Sequence, residues 1–194
     1  MLTANELKGR ATGVEFLSFF AGVWLFFAMV SRGVLDATKG ALVVVGVLAL
    51  VAAAEWVRRQ ARRYPRFPED PAVKRAFRWI NAAQWAAGFA LYFALQFLHR
   101  GDYFMPGLAA IVGLHFLPLA KLFRAPANYA VGGLMVVWSA VSMAFVPVEH
   151  LPSTSAFGTG LILWQAAATT LAVSVAVARQ PVSQAAEGFS APAP

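Results

Sequence analysis

Six stretches of the chain are almost entirely apolar: residues 12–30, 40–57, 79–98, 104–123, 127–146 and 156–178. Each is close to the length an α-helix needs to cross a hydrocarbon core, about 20 residues for roughly 30 Å. A transmembrane strand needs only about ten residues and alternates apolar with polar positions; these runs are longer and do not alternate. The pattern predicts an all-α, polytopic membrane protein with six transmembrane helices. The first stretch is too long for a signal-peptide core, carries Glu15 and lacks a small-x-small cleavage site, so it reads as a span.

The gaps refine the picture. Residues 31–39, 99–103 and 147–155 are short and rich in Gly, Asp, Pro and Ser, and 124–126 is Arg-Ala-Pro. Short connections join antiparallel neighbours, which predicts three consecutive helical hairpins in a single domain over residues 1–179. Residues 58–78 are the one substantial loop, whose middle is kept out of helix by Pro65, Pro68 and Pro71. Residues 180–194, rich in Ala, Pro, Ser and Gln, read as a disordered tail.

The hairpins resemble one another. Gly22 precedes Val-Trp-Leu-Phe-Phe-Ala-Met and then Arg32-Gly33; Gly88 precedes Phe-Ala-Leu-Tyr-Phe-Ala-Leu and then, two residues later in register, Arg100-Gly101. Gly40 and Gly46 open the second span as Gly107 and Gly113 open the fourth, and Gly160 and Ala166 keep that separation in the sixth. This suggests an internal parallel repeat about an axis along the membrane normal. The small residues allow close helix approach and also admit a homo-oligomer.

Composition agrees with the pattern. Hydrophobic residues make up 59% and charged residues 13%, against about 45–50% and 25% in soluble domains. A soluble enzyme, a disordered chain and a nucleic-acid module are excluded on that ground. The absence of cysteine removes disulfides, thiolate metal sites and a cysteine nucleophile.

The net charge of +7 is a matter of topology. In a six-span arrangement Lys8, Arg10, Arg58, Arg59, Arg62, Arg63, Arg66, Lys74, Arg75, Arg78, Lys121, Arg124 and Arg179 fall on one side, and only Arg32, Lys39 and Arg100 on the other. The positive-inside rule then predicts cytoplasmic N- and C-termini in a cell membrane. Arginine over lysine and abundant alanine suggest a bacterial inner membrane. Arg58, Arg59, Arg62 and Arg63 are placed to contact anionic lipids, at about 1 kcal/mol per basic residue near the surface.

Ionisable groups at bilayer depth are costly and invite a functional reading. Glu15 and Glu55 lie near the cytoplasmic side of the first hairpin, with Asn81 at matching depth in the third span. His115 is about 12 Å along the fourth helix from Gly107, near the midplane, and Pro118 frees the carbonyl of Leu114. Gln84 and Gln165 fall inside the third and sixth spans. These six residues are candidates for a transport pathway, against the plainer expectation that Glu55 pairs with Arg58 or Arg59, that Glu15 reaches the headgroups or a neighbouring Arg, and that His115 is held within the bundle. Trp56 and Trp79 read as interfacial anchors; Trp24, Trp85, Trp138 and Trp164 lie deeper and are candidates for an aromatic ligand pocket. No Walker loop, GxGxxG, HExxH or GxSxG motif occurs, so no catalytic or metal-binding residue is assigned, and the cofactor is unknown. Three readings follow, in order: a channel or transporter for a proton, ion or small solute; a non-transporting membrane protein that binds a lipid-like or aromatic ligand or scaffolds a partner; an intramembrane lipid-modifying enzyme.

Overall fold

A computed structural model describes residues 3–65, 68 and 70–179. Arg66 and the 180–194 tail lie outside the described residues. Within them the chain is all-helical, with six long helices: α1 (Ala4–Ser31), α2 (Ala37–Gln60), α3 (Pro71–Phe97), α4 (Phe104–Leu122), α5 (Ala127–Phe145) and α6 (Leu151–Ala178). Five are long and apolar enough to span a membrane. α3 is as long, but Asn81, Gln84 and Gln96 lower its apolar character. The chain is a helical, multi-pass membrane protein.

Local chemistry sets the helix starts. Thr3 caps α1: its hydroxyl accepts from the Glu6 N–H at 3.1 Å, and the Glu6 carboxylate accepts from the Thr3 N–H at 2.9 Å. Asp70 accepts from the Ala72 N–H at 2.8 Å, and Pro71 takes the first helical position, where its missing N–H has no intrahelical role. Residues 58–60 and 71–78, expected within the loop, are therefore helical, and Pro71 starts a helix.

Asp36 caps α2, accepting from the Lys39 N–H at 2.8 Å. The Lys39 side chain and N–H hold this carboxyl below the usual carboxylate range. A depressed folded pKa makes the cap's contribution complete above the ordinary value of about 3.9 and lost as pH falls through the lower one. Protection of the Lys39 amide against hydrogen exchange, relative to its intrinsic rate, should hold at pH 5 and fall only below the ordinary carboxylate range. Asp36→Asn should remove that pH dependence.

The three hairpins form, but the most extensive packing lies between them. α1 and α6, the first and last helices, run side by side along their lengths. At one end Arg32 donates to the Ser153 and Thr154 hydroxyls at 3.2 and 2.8 Å. At the other, the Tyr64 hydroxyl donates to the Val177 carbonyl at 3.2 Å and the Ala4 N–H to the Pro65 carbonyl at 3.0 Å. Gly160 makes room for Leu25 between them. α4 and α5 form the second large interface, where Gly113 and Gly132 bring the two backbones together.

These interfaces organise two apolar clusters. One, at the end carrying most basic residues (the basic end), joins Leu7, Ala11 and Val14 of α1, Ala54 and Val57 of α2, Tyr64 and Ala167 of α6. The other joins Ala21, Trp24 and Ala28 of α1 to Ala109 of α4, Met135 of α5, and Ala156 and Leu163 of α6. α3 contributes to neither and buries no residue fully. It lays a half-buried stripe of Ala76, Ile80, Gln84, Gly88, Leu91 and Leu95 on α4 and leaves Trp85, Phe89, Phe93 and Phe97 exposed. A threefold relation would make α1–α6, α4–α5 and α2–α3 equivalent. The first two are the largest interfaces, whereas α2 and α3 share none of comparable kind among the described residues.

Candidate functional site

Antiparallel packing of α1 on α2 brings the fourth turn of α1 beside the last turns of α2. Glu15 there meets Arg58. One terminal nitrogen of Arg58 donates to the Glu15 carboxylate and reaches the Thr12 hydroxyl at 3.5 Å; the other donates to Glu55 at 3.0 Å. The Arg59 Nε donates to the second Glu55 oxygen at 3.1 Å. The Arg58 and Glu15 side chains are only 35% and 24% exposed, so their charges are partly withdrawn from water and need one another. Glu15 and Glu55 do converge, but on a guanidinium that stands where a shared cation would sit.

A cavity of about 300 Å³ opens beside this cluster, lined by Lys8, Glu55, Arg58, Arg59 and Arg62. Lys8 and Arg62 form no ion pair among the described residues. Lys8 lies seven residues before Glu15, two helical turns away on the same face. Arg63 points to the exterior and does not line the cavity. Below the cavity, the same edge of α1 continues as Phe19 and Phe26 by helical spacing, and that of α2 as Val51, Leu48 and Val44. Phe19, Phe26, Leu48 and Val44 are exposed on the bundle surface. The exposed edge formed by α1 and α2 is thus cationic at the basic end and apolar further along.

The other polar candidates lie elsewhere. His115 on α4 sits beside the Ile80 backbone of α3, and its buried Nδ1 has no hydrogen-bond partner. Gln84 is one turn from Ile80 on the same α3 stripe and Asn81 is next to it, yet no hydrogen bond joins either to His115 among the described residues. Gln165 is on the exposed face of α6 with Phe157 and Leu161. Glu15, His115 and Gln165 therefore stand at three separate places.

The deeper tryptophans are also dispersed. Trp24 is buried in the second cluster. Trp138 lies over Gly158 and donates to the Ser155 carbonyl at 3.1 Å, and Trp164 lies over Gly46. Each ring fills the gap that a missing side chain leaves between two helices. Trp85 is 63% exposed on the outer face of α3. No group of three His, Asp or Glu side chains among the described residues is placed to hold a metal ion.

Lys8 and Thr12 were the site residues that sequence reasoning missed. The seven-residue spacing of Lys8 from Glu15 is the signal that places it on this face. The buried, unpartnered hydroxyls of Ser142, Ser155 and Thr159 had no such signal, since a helical hydroxyl ordinarily finds its own backbone.

No curated protein matches this chain, and no solved structure does. A family model described as a family of unknown function (DUF7010) matches residues 5–174, most of the chain. With that span matched, the chain belongs to the DUF7010 family.

Proposed function

We propose that this chain is a multi-pass protein of a cell membrane that binds an anionic lipid at the α1–α2 edge, with both termini cytoplasmic. The observation that carries this reading is the cavity beside Lys8, Arg58, Arg59 and Arg62, with exposed apolar side chains further along the same two helices. A cationic head site above an apolar track matches an amphiphile standing parallel to the helices. The surplus of basic residues at that end supports its assignment to the cytoplasmic leaflet. A channel or transporter for a proton, ion or small solute has less support: Glu15 and Glu55 are engaged by Arg58, and His115 and Gln165 lie apart from them.

The test is lipid binding by the purified protein in detergent, comparing anionic with zwitterionic lipid. Anionic lipid should bind preferentially, and binding should weaken as salt rises. Arg59→Gln with Arg62→Gln removes two cations from the cavity and should weaken anionic-lipid binding by tenfold or more, from about 1 kcal/mol per basic residue. Unchanged binding in this double variant would overturn the reading.

A further inference from the structure

The charges around the cavity say more about the headgroup. Arg58 uses one terminal nitrogen for Glu15 and the other for Glu55, and Arg59 uses its Nε for Glu55. The two terminal nitrogens of Arg59, the whole guanidinium fork of Arg62 and the Lys8 ammonium have no acidic partner among the described residues. Four cations against the two carboxylates of Glu15 and Glu55 leave two positive charges at the site. The cavity of about 300 Å³ has room for about ten water-sized groups, which exceeds a single phosphate.

We infer that the site is matched to a headgroup with a doubly charged terminal phosphate, a lipid phosphomonoester or diphosphate, in preference to a singly charged phosphodiester. This rests on the lipid-binding reading above. A terminal phosphate offers three charged oxygens and a charge near −2 at neutral pH, against three separate cationic donor groups. A phosphodiester offers two such oxygens and one charge. Guanidinium forks also engage phosphate oxygens in pairs. The exposed apolar side chains of Phe19, Phe26, Leu48 and Val44 along the same two helices make a lipid the source of that phosphate, since a free phosphate has nothing to place there.

The experiment is competition binding to the full chain in detergent, using phosphatidic acid and phosphatidylglycerol with matched acyl chains, and soluble pyrophosphate as a third ligand. At pH 7.5 phosphatidic acid should bind at least about fivefold more tightly, for one additional charge at the site. At pH 5, below the second phosphate pKa of about 6, the two lipids should become nearly equal. The charged groups that face the site, Lys8, Arg58, Arg59, Arg62, Glu15 and Glu55, are common to the two lipids, so the comparison reads the headgroup. Pyrophosphate should bind more weakly than either lipid. Equal lipid affinities at pH 7.5, with both lost in the Arg59→Gln/Arg62→Gln variant, would overturn the charge preference and leave lipid binding standing. Pyrophosphate binding as tightly as phosphatidic acid would overturn the lipid source. Binding of both lipids unaffected by that variant, and by Lys8→Gln, would overturn the inference together with the reading beneath it.

Discussion

Gly132→Val is expected to lower the unfolding midpoint in detergent more than any other single change on α4 or α5. A Cβ at Gly132 would stand 2.5 Å from the Gly113 carbonyl oxygen and 3.1 Å from the Phe116 Cβ. The first neighbour is backbone and cannot rotate away, so the helices themselves must part. Overpacking of this kind costs about 1–3 kcal/mol, and more when backbone blocks relief; with two further methyl groups to place, the upper end is expected. Gly133 provides the control one residue along. A Cβ there meets nothing within 4 Å, so Gly133→Ala should be neutral or slightly stabilising through helix propensity. Equal effects at the two positions would show that the α4–α5 crossing is not held by close backbone approach.

Arg58→Ala should be the most damaging substitution at the basic end. Among the described residues it leaves Glu15 without an ion-pair partner and Glu55 with Arg59 alone. Removing one partner from a fully buried pair costs about 3–5 kcal/mol. Here the groups are partly exposed near a helix end, so a loss of about 2 kcal/mol is expected, read as a fall in the detergent unfolding midpoint. Adding Glu15→Gln to the Arg58→Ala variant should recover part of the loss, because the orphaned charge is gone. Failure of that second change to recover any stability would mean that Arg58 acts through packing of its stem, not through its charge.

The candidate site was legible in part. Glu15 and Glu55 lie at similar depth on antiparallel hairpin partners, and each bonds Arg58. Spacing along α2 also gave the Glu55–Arg58 and Glu55–Arg59 pairs directly. What spacing could not give is that Arg58 reaches across to Glu15, which depends on the rotation of α1 about its own axis. Rotation also decided Gln165. Its depth was right for a polar pathway, but the face of α6 carrying it is exposed, while Gly160 and Leu163 face the bundle. The tryptophans show the same limit: Trp138 and Trp164 were recognisably deep, but their places were set by Gly158 and Gly46 on other helices.

The sequence alone determined the six long helices, their C-terminal ends to within about three residues and the crowding of arginine at one end of the bundle, while α1, α3 and α6 start earlier than the apolar runs do. These follow from local quantities: the run of apolar residues a bilayer requires, the capping side chains, and the bias of charge between turns. Tertiary structure decided which helices are neighbours and which faces meet. It placed α1 against α6, left α3 at the margin, and turned Lys8, Arg58, Arg59 and Arg62 toward one cavity. The reason is physical. All the long helices but α3 are apolar along most of their length and lipid is as apolar as the core, so hydrophobicity alone does not mark their buried faces. The choice falls to close packing at a few glycines and to ion pairs, and both exist only once two helices have met.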